Sequence, residues 1–248
     1  MDLITQTRRM YQTSCPYWSR HRFPIGVAGW FLLAFWAIAP ALADPTASEY
    51  RQQGLLLRDQ ERYGAAIGVL QKAMELEPEN LDGRVLLGWT QHKAGQDPEA
   101  IRTLTQTLSY NPFFVPALNA LGIVYLVRGN LTQAALTHTW AAFLQANNEI
   151  AYYNLSLTYQ GLQDYEQAIS TAKQAARLEP DNPHPLVALA IAHWSQRDPA
   201  LARTTYVQAI QLDPRYQDPA FLLYLNEAGF SPAQIALAQQ IAQTLRHP

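Results

Sequence analysis

The chain has 248 residues, 48% of them apolar and 15% charged, with 18 Lys and Arg against 20 Asp and Glu. Four of those bases but only one acid precede Asp44, which leaves 14 bases against 19 acids and a net charge of −5 for the rest, no electrostatic footprint for a nucleic acid. Cys15 is the sole cysteine, so an intramolecular disulfide and a thiolate metal cage are excluded.

The first predicted element runs from Phe23 to Ala43, 21 residues without a charge. Arg8, Arg9, Arg20 and Arg22 precede it, Pro40 breaks it, and Ala41-Leu42-Ala43 supplies the small-x-small pattern at which a secretory signal peptide is cut. Residues 1–43 are therefore predicted to be a signal peptide cleaved after Ala43, the alternative being an uncleaved anchor in the inner membrane. Basic residues on the N-terminal flank keep that end in the cytoplasm. Both readings export the rest of the chain to the periplasm or an equivalent extracytoplasmic compartment.

From Ala47 onward one period governs the chain. Ala66, Ala100, Ala134, Ala168 and Ala202 stand 34 residues apart, and Pro78, Pro112, Pro180 and Pro214 keep the same ruler. A period of that size marks a helical repeat array. Its units are 47–80, 81–114, 115–148, 149–182 and 183–216. Unit position 7 holds Gln53, Leu87, Leu121, Leu155 and Leu189, and position 8 holds Gly54, Gly88, Gly122, Ser156 and Ala190. With positions 4 and 11 they form one helical stripe, and the small residue at position 8 lets a second backbone approach. The second half of each unit carries the invariant Ala at position 20, then Leu70, Leu104, His138, Ala172 and Tyr206 at position 24. Between the halves stand Gly95 ahead of Asp97-Pro98, Gly129-Asn130, Asp164 and Asp198-Pro199, the punctuation of one helix ending and another being capped. Each unit is predicted to be a helical hairpin.

Leu121-Gly122-x2-Tyr125 and Tyr152-x2-Leu155-Ser156-x2-Tyr159 resemble the first half of the tetratricopeptide repeat; Ala66-x3-Leu70, Ala100-x3-Leu104 and the four prolines resemble its second half. The resemblance covers residues 47–216 and implies an all-α fold, a right-handed α-solenoid of tandem helix-turn-helix repeats. Departures are local: Ala146 stands for the proline of unit three, Gln53 for a Leu in unit one, and His138 for a large apolar residue. Residues 217–248 keep the phase loosely. Ala220 to Leu225 reads as a helix closing at Gly229, and Ser231-Pro232 starts another running to about Leu245. This degenerate sixth repeat is predicted to be a C-terminal capping helix pair, made polar by Gln234, Gln239, Gln240 and Gln243 as a solvent-facing end requires.

No catalytic constellation emerges. The histidines after Asp44 never fall three or four apart, and there is no His-Glu-x-x-His, Gly-rich phosphate loop or Gly-x-Ser-x-Gly elbow. No catalytic residue, metal ligand or cofactor is predicted. The resemblance implies instead a protein–protein interaction scaffold, whose first helices line a concave groove with unit positions 2, 5, 9 and 12, a single helical stripe. Those positions nominate Leu55, Trp89, His92, Asn119, Ile123, Tyr153, Leu157, Ile191 and Trp194 as protein-binding residues. The groove is then largely apolar, suited to an amphipathic helix or extended apolar segment of a protein or peptide partner. The competing reading packs the same side chains between units. Two other roles stay open: an accessory subunit of an enzyme, and a pilus or outer-membrane assembly factor. A membrane enters only through the N-terminal segment, if it is uncleaved.

Overall fold

The computed structural model describes residues 44–246; the predicted signal segment, with its cleavage residues Ala41 and Ala43, lies outside them, as does His247. Five helical pairs fall in frame with the 34-residue ruler: α1 (Ala47–Asp59) with α2 (Tyr63–Leu76), α3 (Leu81–Lys93) with α4 (Asp97–Tyr110), α5 (Val115–Val127) with α6 (Leu131–Leu144), α7 (Glu149–Gly161) with α8 (Tyr165–Leu178), and α9 (Pro183–Ser195) with α10 (Pro199–Leu212). Among the described residues there is no strand, and no helix is long and apolar enough to cross a membrane. The fold is an all-α solenoid.

Short polar side chains start most of these helices by accepting an otherwise orphaned N–H. Thr46 and Glu49 form a reciprocal capping box at α1. Asn80, Asn148, Asp164, Asn182 and Asp198 accept from the backbone of Gly83, Ala151, Gln167, His184 and Leu201 at 2.9–3.2 Å. Asp97, expected to cap α4, lies one residue inside it, and its carboxylate instead meets His92 Nδ1 at 2.7 Å. At unit position 15 all five pairs turn through a left-handed residue. Gly95 and Gly129 supply it in units two and three, while Glu61, Gln163 and Arg197 take φ of 59°, 63° and 67° in the others, at the steric cost an L side chain meets there.

Inside each pair, size at position 8 answers size at position 24. An added Cβ would lie 2.5 Å from Leu70 Cδ2 at Gly54, 2.8 Å from Leu104 Cγ at Gly88, and 2.5 Å from His138 Nε2 at Gly122. These are closer than real Cβ atoms approach, so any side chain at these positions would force the large residue opposite to shift. Unit four reverses the assignment, with Ser156 facing a small Ala172. The Ala at position 20 is fully buried in all five units. Successive first helices also touch one another, α3 with α5, α5 with α7 and α7 with α9, which puts the first helices on the tighter, inner side of the array.

The junction of units three and four lacks its proline, yet it is closed by a buried amide pair. Asn119 Nδ2 donates to Asn148 Oδ1 at 3.2 Å, and Asn148 Nδ2 donates back to Asn119 Oδ1 at 3.0 Å. Beyond α10 come a 3-10 turn (Pro214–Gln217), a longer 3-10 helix (Phe221–Ala228) and α11 (Pro232–Arg246). The 3-10 form replaces the α-helix expected over Ala220–Leu225. In that geometry residues three apart eclipse; Leu222 and Leu225 thereby share the buried face, while Phe221 and Tyr224 stack at 5.8 Å beside it.

Gly88→Ser is expected to cost about 1–3 kcal/mol by overpacking against Leu104. Combining it with Leu104→Ala, which reproduces the Ser156 and Ala172 arrangement, is expected to lose clearly less than the two single changes added together. Urea denaturation of the four proteins checks this, and strictly additive losses would contradict the contact.

Candidate binding groove

The inner stripe of the first helices does gather on one side, but the chain's own C-terminal segment occupies much of it. Tyr153 Oη donates to the Ala228 carbonyl at 2.6 Å, and the Tyr153 ring meets Phe230 edge-on at 6.1 Å. Gly229, at φ 85°, turns the chain there; a Cβ on it would lie 3.8 Å from Leu157 and 4.0 Å from Leu126. Gln234 Nε2 then donates to the Leu157 carbonyl at 2.9 Å and to Gln160 Oε1 at 2.8 Å. Farther along the groove, Glu227 reaches Lys93 of α3 at 3.3 Å. Leu126, Leu157, Val187 and Ile191 from three first helices share one apolar cluster with Leu222, Leu225, Phe230, Ile235 and Ile241 from the tail.

Magnitudes decide whether this segment is a flap or a fixture. Leu222, Leu225, Phe230 and Ile241 are all fully buried; at about 1.5–3 kcal/mol each, their burial contributes on the order of 6–12 kcal/mol. The tail is therefore a resident part of the core, and the expected capping pair caps inward, across the concavity, as well as over α9 and α10. Gln234, expected on a solvent-facing end, is buried in this contact.

The nine nominated residues separate accordingly. Leu157 and Ile191 are each 1% exposed and Ile123 is 6% exposed; all three are packed core. Asn119 is committed to the amide pair with Asn148. Tyr153 and Trp194 are half-buried against the cluster that holds the tail. Leu55, Trp89 and His92, at the N-terminal end of the groove, keep part of their surface in solvent. Leu55 packs beside Ile67 and Leu70. The Trp89 ring lies 5.2 Å from His92, which is itself held by Asp97.

Two of the other described histidines, His138 and His184, serve packing. His138 is fully buried with neither ring nitrogen in a well-aligned hydrogen bond, and burial pulls it down to about 3, a misaligned contact with the Gly122 backbone opposing only in part. His184, enclosed between the rings of Tyr153 and Tyr216, is pulled down to about 4 by burial against the opposing charge of Asp213. No group of three or more His, Cys, Asp or Glu among the described residues could hold a metal ion.

This architecture defines a class, the helical-repeat solenoids built to present surfaces to other proteins. Two family models described as tetratricopeptide repeat match residues 57–121 and 153–219, together more than half of the chain, and the chain belongs to the tetratricopeptide repeat family. No curated protein matches the sequence. Among solved structures it is similar to MamA from Desulfovibrio magneticus RS-1, residues 41 to the end, at 19% identity and TM-score 0.61, covering 68% of this chain and 95% of that one. It is also similar to TTC0263, a thermophilic TPR protein of Thermus thermophilus, at 21% identity and TM-score 0.59, covering 80% of this chain and 100% of the other. At these identities the likeness shows the fold. The repeats make the chain a protein–protein interaction scaffold, with protein partners in general.

Phe230→Ala is expected to destabilise the protein by about 3–5 kcal/mol, as loss of a buried Phe does, and to loosen Tyr153. A loss under about 1 kcal/mol would mean that the tail is not seated. Acid should act through the buried histidines. His138 and His184 stay neutral in the folded chain, whereas their ordinary value of 6.5 lets the unfolded chain take up protons. Stability is therefore complete above about pH 6.5 and falls as the pH drops toward 4, by roughly 1.4 kcal/mol per pH unit and histidine. His138→Leu, the choice made at Leu70 and Leu104, is expected to add about 1–3 kcal/mol at pH 7 by removing the unpaired nitrogens. It should also flatten the acid loss. Melting curves at pH 7.5 and 5.0 test both effects, and a variant that melts like the parent at both would refute them.

Proposed function

We propose that the protein is a non-catalytic scaffold working outside the cytoplasmic membrane, and that it takes an apolar segment of a protein partner at the N-terminal end of its concave face. The observation that carries this reading is the contrast along the groove. Leu157 and Ile191 are sealed by the tail, whereas Leu55, Trp89 and His92 retain solvent-facing surface on the same inner stripe. A partly buried Trp in a concavity is the kind of side chain on which interface energy concentrates. Arg51, held by Glu77 and part of the same stripe, gives this end a polar rim. Export is supported by the uncharged run Phe23 to Ala43, its arginine-bearing flank and the Ala41-x-Ala43 pattern.

Trp89→Ala is expected to lower capture of a cross-linked partner from envelope extracts at least tenfold, about 1.4 kcal/mol, with helicity unchanged. The recovered protein is expected to begin at Asp44. Full capture by the folded variant would place the site elsewhere, and recovery from the cytoplasmic fraction would refute the compartment.

A further inference from the structure

Unit three carries a buried base with no acid to answer it. His138 is 0% exposed and lies over Gly122, whose added Cβ would stand 2.5 Å from its Nε2. At position 24 the other units place Leu70, Leu104, Ala172 and Tyr206, and the one polar group among them, the Tyr206 hydroxyl, donates to the Tyr216 carbonyl at 3.0 Å. Between Glu99 and Glu149 the sequence has no carboxylate. Two helices pack against α6. On α5 the one titratable side chain is Tyr125, with Arg128 just beyond it; on α7 they are Glu149, Tyr152, Tyr153 and Tyr159. Glu149 stands in the first turn of α7, next to the end of α6 at Leu144, whereas His138 lies about two turns inside that end. A proton on His138 therefore finds neither an anion nor water while unit three stays closed.

Position in the array decides what opens. Repeats hold only their neighbours, so a broken unit divides the stack. Units one and two stand on one side of it, fewer than the three repeats a stable stack needs. Units four and five stand on the other and keep the tail. The apolar cluster that the tail completes draws its unit-three members from the stretch between Tyr125 and Ala134, so the brace stops at that turn. Farther out, tail and array meet through the exposed Lys93–Glu227 pair, which contributes little. The histidines of the C-terminal half also have anions at hand. Asp213, bonded to Arg215, acts on His184, and Asp198, opposed by Lys173, acts on His193.

We propose that His138 is an acid-sensitive joint: its protonation opens units one to three ahead of units four and five, and so withdraws the Leu55, Trp89 and His92 end of the groove in acid. The consequence for binding rests on the partner site proposed at that end, whereas the opening itself does not. Hydrogen exchange of the full chain, read segment by segment at pH 7.5 and 5.0 and corrected for intrinsic rates, tests the opening without any partner. A proton taken up by His138 in the open state is expected to raise the open population of α3, α5 and α6 about thirtyfold between those values. At pH 5.0 these helices are expected to exchange through an opening that leaves α7, α9 and α11 protected. His138→Leu is expected to remove the thirtyfold rise, and His184→Gln to leave it in place. One common opening of all six helices at pH 5.0, a rise that survives His138→Leu, or a rise lost in His184→Gln would overturn the joint. Full partner capture by Trp89→Ala, beside a rise that depends on His138, would remove the partner site and leave the joint standing.

Discussion

The close approach of the two helices in each unit is the constraint on which the rest depends. At Gly54, Gly88 and Gly122 a side chain would have to displace Leu70, Leu104 or His138, which fill the space a Cβ would need. Large stands against absent in units one to three and small against small at Ser156 and Ala172, while unit five sets Ala190 against the buried Tyr206. The Ala at position 20 is buried in every unit, where a larger side chain would have no room. His138 obeys the size rule while breaking the polarity rule. It fits the space over Gly122 but leaves both its nitrogens unpaired in the core.

The inner stripe is then claimed by the chain itself. A repeat array must close its last apolar face, and here closure runs sideways as well as end-on. The 3-10 helix Phe221–Ala228 carries the chain back across α7 and α9, and Phe230 and Gln234 lock it there. What would be a continuous concave ligand site is divided into a sealed C-terminal part and an accessible N-terminal part.

The helical pairs and the caps Asp164 and Asp198 were legible in the sequence, because the 3.6-residue stripe and a capping residue act locally; Asp97 and Asn130, read as caps, make no capping bond, and Asn80, Asn148 and Asn182 cap unannounced. The identity of the groove residues was legible as a stripe, but their exposure was not. Leu157 and Ile191 have the pattern of a binding face, and only contacts distant in sequence, with Phe230 and Gln234, bury them. Asn119 has the same history, its partner Asn148 lying 29 residues on. The left-handed turns at Glu61, Gln163 and Arg197 were also invisible, since these residues carry no conformational signature; only their common spacing with Gly95 and Gly129 announces them.

The central claim is that the C-terminal segment is a built-in occupant of the concave face, as firmly held as the repeats it covers. Native-state amide hydrogen exchange tests this most directly, since it measures opening of each segment in the intact protein. The account predicts that the core amides of α11, including those of Ile241 and Ala242, exchange as slowly as those of α7 and α9, with the same free energy of opening. Exchange of the whole segment beyond Asp218 at loop-like rates, with α7 and α9 still protected, would contradict it.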